Sequence, residues 1–268
     1  MSSLQTHQYR DSSNFSARVV LHYRFSTNKY PWPLWVFDRF RQDPGLAVME
    51  LGCGNGYLWR LNAHRIPPGW RITLTDFSSG MLDDARRLID NSVPGIAYEV
   101  ADAGSIPRDD GACDIVIANH MLYHVPDRKK ALSEIRRVLK KDGVLYATTM
   151  HEGHMGELRA LIGEFRSASS AVAKGNQVIR NFSIENGADQ LREFFPDVRL
   201  DIYENSLVVN EAAALVDYAF SLNCIWGDRV VIKEEERDAF TAFVKEKLAG
   251  GSLSIPADAG LFTCRCGT

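Results

Sequence analysis

The sequence is short of the features that would make its class obvious. Cysteine is sparse and odd in number: Cys53, Cys113, Cys224, Cys264 and Cys266 are scattered, with no zinc-knuckle spacing and no even set for a disulfide framework. No run of residues approaches the roughly 20 apolar positions that span a bilayer. The opening Met1 to Asn14 is polar and lacks the charged-then-apolar run of a signal peptide. Excess charge is also lacking, with 31 basic against 34 acidic side chains and a formal net charge of −3. That balance supplies no field to draw in a phosphate backbone, so nucleic acid is a poor first expectation as partner. There is no internal repeat and no low-complexity tract. A reduced, cytoplasmic chain with no membrane partner is the plain expectation, and its assembly state is open.

What is present is an ordinary globular composition, 45% hydrophobic over 268 residues, enough for one α/β domain and a small cap. The reading divides the chain into an opening lid or helical segment at 1–44, an α/β core at 45–150, and cap helices with completion of the sheet at 151–268. Aromatic residues crowd the opening: Phe15, Tyr23, Phe25, Tyr30, Trp32, Trp35, Phe37 and Phe40. A helix is predicted over 33–41, after the breaks at Pro31 and Pro33. From 46 to 150 short apolar runs predict strands at 46–51, 71–76, 96–101, 113–119 and 144–150. Helical patterns at 57–62, 80–90 and 128–140 separate them. Near-continuous apolar strands alternating with helices imply a parallel sheet covered on both faces. Beyond 150, helices are predicted at 155–172, 187–195, 210–222 and 234–249, with strands at 198–208 and 260–265.

The stretch Val48-Met49-Glu50-Leu51-Gly52-Cys53-Gly54-Asn55-Gly56-Tyr57 carries the chemistry. A buried strand ends in an acid, and glycines then recur at every second position. Glycine lets the backbone turn sharply and approach a ligand, and the helix that follows offers unpaired N–H groups. A dinucleotide loop would have G-x-G-x-x-G spacing around a pyrophosphate. Here Tyr57 stands at the third glycine position and Glu50 places negative charge where a pyrophosphate would come. A zwitterionic tail bearing an ammonium suits Glu50 better.

The string from Glu50 to Gly56 resembles motif I of class I S-adenosylmethionine (SAM)-dependent methyltransferases, within the group similar to ubiquinone and menaquinone biosynthesis enzymes. Asp76, closing the second strand, stands where that family accepts two ribose hydroxyls. Asp102 stands where the family receives the adenine amino group, and the Ala103 N–H where it meets the ring. Phe77 and Met81 would wall the adenine slot. The stretch Asn119-His120-Met121-Leu122-Tyr123-His124 resembles the family's segment beside the methionine tail, and Leu139 to Leu145 resembles its turn into strand five, with Lys141 and Asp142 departing from the usual pattern. The resemblance implies a doubly wound, mostly parallel seven-stranded sheet with a helical cap. It implies SAM as cofactor, S-adenosylhomocysteine (SAH) as product, and cofactor contacts from Glu50, Gly52, Cys53, Gly54, Asp76, Phe77, Met81, Asp102, Ala103 and Asn119.

Duller roles stand beside these. The glycines could form only a tight turn, and Asp76 could be a helix-terminal charge ahead of Ser78. His120, His124 and His154 are candidate general bases, since a group with pKa near roughly 6.5 can take a proton from the acceptor as the methyl arrives. They could equally pack and hydrogen-bond in their loops. With His151 they could converge on a metal, but no carboxylate or cysteine is spaced to complete the set, so no metal is expected. The opening segment is expected to fold over the cofactor, with Tyr9 or Tyr23 in contact and Phe165, Phe182, Tyr218, Phe220 and Trp226 as walls of an apolar pocket. The expected activity is methyl transfer to a small molecule such as a natural-product intermediate, with oxygen, nitrogen, sulfur and carbon all open as the atom methylated. The alternatives are a SAM-binding cyclase or pericyclase that transfers no methyl, an NAD-dependent dehydrogenase, and a non-enzymatic binding module.

Overall fold

The computed structural model describes residues 13–93, 95–166, 178–223 and 232–267. In chain order the elements are α1 (Ser13–Phe25), α2 (Trp32–Phe37), β1 (Ala47–Leu51), α3 (Tyr57–Asn62), β2 (Arg71–Asp76), α4 (Ser79–Ile89), β3 (Ala97–Val100) and β4 (Cys113–Asn119). They continue with α5 (Arg128–Val138), β5 (Leu139–Met150), α6 (Gly156–Phe165), α7 (Gly187–Arg192), β6 (Asp197–Tyr203) and β7 (Ser206–Val209). The last are α8 (Ala212–Ser221), α9 (Arg237–Lys247), β8 (Leu253–Pro256) and β9 (Ala259–Arg265).

The chain splits into two compact units. The sheet unit comprises Tyr30–His151, Ile179–Tyr203 and Ala259–Thr268; the helical unit comprises Met1–Lys29, Glu152–Val178 and Glu204–Asp258. In the sheet unit seven strands run in the order β3-β2-β1-β4-β5-β9-β6. The first five are mutually parallel, and β9 lies antiparallel to both β5 and β6. Strand order runs outward in opposite directions from the neighbours β1 and β4, and at such a switch point the carboxyl ends of the strands are where an open α/β sheet holds ligands. Central β4 is buried from Cys113 to Ala118, which explains why its sequence is one apolar run rather than an alternation.

Helix placement follows the apolar stripes. In α4 the buried Met81, Leu82, Ala85 and Ile89 fall on one side, and the Ser78 side chain caps its start by accepting from Met81 N–H. In α5 Ala131, Leu132, Ile135 and Val138 are buried, with Asp127 as the cap. Each fully buried aliphatic side chain contributes about 1.5–3 kcal/mol of transfer free energy. One core of this unit joins α2 and the first strands through Val36, Phe37, Trp59, Leu74 and Ile115.

The helical unit packs α1, α6, α8 and α9 around Leu158, Ile162, Leu215, Ala219 and Phe240, with the antiparallel pair β7–β8 alongside. A bridge between Ser26 and Leu207 ties the end of α1 to β7.

Element boundaries depart from the sequence reading most clearly in two places. The strand expected over 198–208 is two strands in two sheets. Asn205 breaks it, its N–H donating to Asp258 and its carbonyl accepting from Ala257 N–H, so neither group serves the large sheet. Strand β5 starts at Leu139 rather than near 144, because Leu139 already pairs with Cys113 before the register shifts at Ile115. The predicted helix at 155–172 is described only as α6; the rest of that span lies outside the described residues.

Candidate functional site

Five strand ends of the sheet unit converge, and backbone hydrogen bonds hold them in register. Cys53 N–H donates to Thr75 carbonyl at 2.8 Å, Ala101 N–H to Asp76 carbonyl at 3.2 Å, and His120 N–H to Thr148 carbonyl at 3.3 Å. The loop after β1, the tip of β2, the turn after β3 and the segment after β4 thus form one edge.

The glycines of the β1 loop have separate reasons. Gly52 has φ of +67°, and a Cβ there would stand 3.0 Å from the Met121 Cβ, so the backbone passes tight against the segment after β4. Gly56 has φ of +75° and a Cβ would come 2.6 Å from Ile89 Cδ1. It therefore lets α4 pack against the loop, the task the third glycine performs in dinucleotide folds.

Asp76 sits at the tip of β2 with its carboxylate turned back on this loop. One oxygen accepts from Gly54 N–H at 3.0 Å and the other from Ser78 N–H at 2.9 Å. Burial raises its pKa above the ordinary carboxylate range, and the N–H groups of Ser78, Gly54 and Phe77 pull against that rise. Phe77 is 45% exposed beside it, while Met81 is buried with its terminal methyl 3.5 Å from where a Gly54 Cβ would lie. Asp102 is exposed at the end of β3; its side chain accepts from Gly104 N–H at 2.8 Å and closes a tight turn that buries Ala103.

Glu50 lies behind the loop, only 2% exposed. One carboxylate oxygen accepts from the Trp59 indole N–H at 2.6 Å, the other from the Asn119 amide at 2.9 Å. Burial lifts its pKa to about 7, aided by the charge of Asp76 and opposed by these two donors. The Asn119 carbonyl accepts from the Thr148 hydroxyl, whose oxygen in turn accepts from His120 N–H at 3.0 Å. A hydrogen-bonded chain therefore runs from Trp59 through Glu50, Asn119 and Thr148 to His120. Cys53, also in the loop, is buried, and desolvation with Glu50 and Asp76 nearby raises its thiol pKa well above normal.

His120 adopts a left-handed backbone, φ +49°, uncommon for a residue with a side chain. Its ring lies 5.4 Å from Trp32, which stacks on Trp35. His124 follows in a single helical turn, its ring 4.5 Å from Tyr123. His154 belongs to the helical unit, where it stacks on His22 at 5.8 Å. Among the described residues no three His, Cys, Asp or Glu side chains gather as a metal site, and no helix is long and apolar enough to cross a membrane.

The sequence reading passed over Trp59, Thr148, Met121 and the Trp32–Trp35 pair. Trp32 and Trp35 were visible as aromatics without a role; nothing in the sequence points to the Trp59–Glu50 bond. Of the proposed pocket walls, Phe182, Tyr218 and Phe220 are buried and Phe165 packs on Phe240 and Phe243. Tyr23 is 76% exposed. Tyr9 and Trp226 lie outside the described residues.

Residues 49–147 match the methyltransferase domain family. This stretch is similar to methyltransferase domains. Among curated relatives, the malonyl-[acyl-carrier protein] O-methyltransferase of Serratia marcescens is 33% identical over 115 residues, 43% of this chain and 42% of that protein. The demethylmenaquinone methyltransferase of Lactobacillus johnsonii is 32% identical over 142 residues, 50% of this chain and 58% of that protein. The chain thus spans about half the length of these curated relatives. Among solved structures, phosphoethanolamine N-methyltransferase 2 of Haemonchus contortus in complex with S-adenosyl-L-methionine superposes with a TM-score of 0.60 at 18% identity, covering 100% of this chain and 60% of that one. The seven-stranded, mostly parallel sheet and its flanking helices have the class I methyltransferase fold.

Proposed function

We propose that this chain binds SAM at the strand-end edge of the sheet unit and transfers its methyl group to a small-molecule acceptor. The chemistry of the donor set supports the fit. Two carboxylates, Asp76 and Asp102, stand at the tips of strands paired side by side, and Phe77 and Val100 expose apolar surface beside them. Such an edge welcomes a ligand rich in O–H and N–H donors with one flat face. It repels a pyrophosphate, which counts against the dinucleotide reading.

On this reading Asp76 accepts from the two ribose hydroxyls, and the Gly54 and Ser78 N–H groups that already bond it keep its oxygens aimed. The Gly52–Gly54 backbone and Asn119 face the methionine portion, Asp102 and the Ala103 N–H take the adenine edge, and Phe77 and Met81 flank the ring. Glu50 acts through Asn119, which it holds in place, rather than on the ligand. SAM supplies an electrophilic methyl on a cationic sulfur, so the protein's task is alignment and exclusion of water. Effective molarities from such positioning reach about 10⁵ M or more. His120 or His124 would hold the proton released by a hydroxyl or ammonium acceptor, while His154 belongs to the helical unit.

The observation that carries the proposal is the Asp76 carboxylate, bonded to the glycine loop of β1 while closing β2. Calorimetry with SAM and SAH tests it. The wild-type chain should bind both saturably, and Asp76→Ala should weaken binding about 100-fold or more, the cost of two hydrogen bonds to a charged acceptor. Absence of heat in the wild type would overturn the reading. Turnover that leaves bound SAM unconsumed would replace it with the cyclase alternative.

A further inference from the structure

The buried stripe of α6 contains a residue that breaks its own pattern. Met155, Leu158, Leu161 and Ile162 face the core of the helical unit, and Arg159 lies among them, 9% exposed. Its Nη2 is sealed from solvent and makes no hydrogen bond. A guanidinium cannot shed its charge at any ordinary pH, and an uncompensated cation in an apolar core is among the most unfavourable arrangements a fold can hold. Local rules broken without internal compensation mark functional positions.

The neighbours of Arg159 are of matching chemistry. His154, in the turn that precedes α6, stacks on His22 of α1 with rings 5.8 Å apart and 1° from coplanar. The Tyr218 ring of α8 lies 6.4 Å from that of His22 and is itself buried. Arg18, one turn before His22 on the same face of α1, is close enough to depress the His22 pKa, which burial first and Arg18 second bring to about 4. Tyr218 feels both arginines. The acid that Arg159 senses, Glu157, is two residues away on the helix, a spacing at which side chains do not face each other, and its buried Oε2 bonds to nothing. Arg159, with no acid bonded to it among the described residues, thus lies beside Tyr218, which in turn neighbours the His22–His154 stack and Arg18.

We propose that Arg159, with Arg18, His22, His154 and Tyr218 about it, is the centre of a receptor for an oxyanion, a carboxylate or a phosphate, inside the helical unit. Arg159 offers a planar fork to the anion, and the Tyr218 phenol and the His22–His154 stack lie alongside.

Ring-proton NMR of His22 and His154 in the full chain tests this. Inorganic phosphate and acetate are titrated separately against chloride at matched ionic strength. The expected result is a saturable shift of both rings by at least one anion, the stronger arm identifying phosphate or carboxylate as the natural group. Arg159→Gln should weaken that titration about 10- to 100-fold while melting at or above the wild-type temperature, because it removes an unpaired buried charge. Glu157→Gln should tighten the titration or leave it unchanged. Unshifted rings with both anions, or an Arg159→Gln chain that titrates like wild type, would overturn the receptor.

Discussion

Replacing Glu50 with glutamine isolates a cost the fold carries. The side chain is 2% exposed, and its pKa is raised from an ordinary 4.5 to about 7, with burial as the main cause. Between those values the folded chain holds a proton that the unfolded chain has released. The stabilisation from this group is therefore complete below about 4.5 and disappears as pH rises through about 7. Each tenfold step in proton affinity is worth about 1.4 kcal/mol, so between pH 5 and pH 8.5 the wild type should lose roughly 2–3 kcal/mol from this source. Glutamine does not titrate. It can still accept from the Trp59 indole, and an Asn119 amide flip, with the Thr148 hydroxyl turned to accept, satisfies its amide. Urea unfolding of both proteins at the two pH values gives a difference of differences in which unrelated titrations cancel. Glu50→Gln should improve on the wild type by roughly 2–3 kcal/mol more at pH 8.5 than at pH 5. An equal effect at both pH values would refute the reasoning. The same variant should bind SAH within a few-fold of wild type if Glu50 acts only through Asn119.

Other outcomes follow from the same geometry. Gly56→Ala should cost about 2–4 kcal/mol in thermal unfolding, from a left-handed backbone and a clash with Ile89, and adding Ile89→Val should return part of it. Trp59→Phe, which removes a donor from buried Glu50, should destabilise by about 1–3 kcal/mol and shift the pH-dependent loss to higher pH. SAH affinity should fall with acidification from above the normal carboxylate range, because the raised pKa of Asp76 has it protonate early. The buried thiols of Cys53, Cys113, Cys264 and Cys266 should resist a disulfide reagent in the folded chain and react on unfolding, burial having raised their pKa values.

The sequence disclosed what depends on neighbours along the chain. Strands β1, β2 and β4 show in apolar runs, and the glycine loop with Asp76 and Asp102 falls at their ends because parallel strands all present their carboxyl tips on one edge. Long-range partners left no trace. Nothing near Glu50 names Trp59 and Asn119, and nothing in 198–208 says that Asn205 divides it, since the groups responsible, Ala257 and Asp258, lie about fifty residues on. The histidines illustrate the same limit: His120 and His154 read alike in a line of text, yet one closes a strand in the sheet unit and the other stacks in the helical unit. Arg159 was hidden because one basic residue in a helix is unremarkable until its burial is known.

The placement of β9 has a consequence for how the molecule is made. Among the described residues it is the one ladder partner of β6, and it is the outer neighbour of β5. During synthesis β6, with Leu200 and Ile202 on its surface, has nothing to pair with until residues 259–265 emerge more than fifty positions later. A ribosome stalled anywhere in that interval displays two open ladder edges, one of them on the buried, apolar β5. Nascent chains arrested there should be the ones that chaperones hold and that associate with each other.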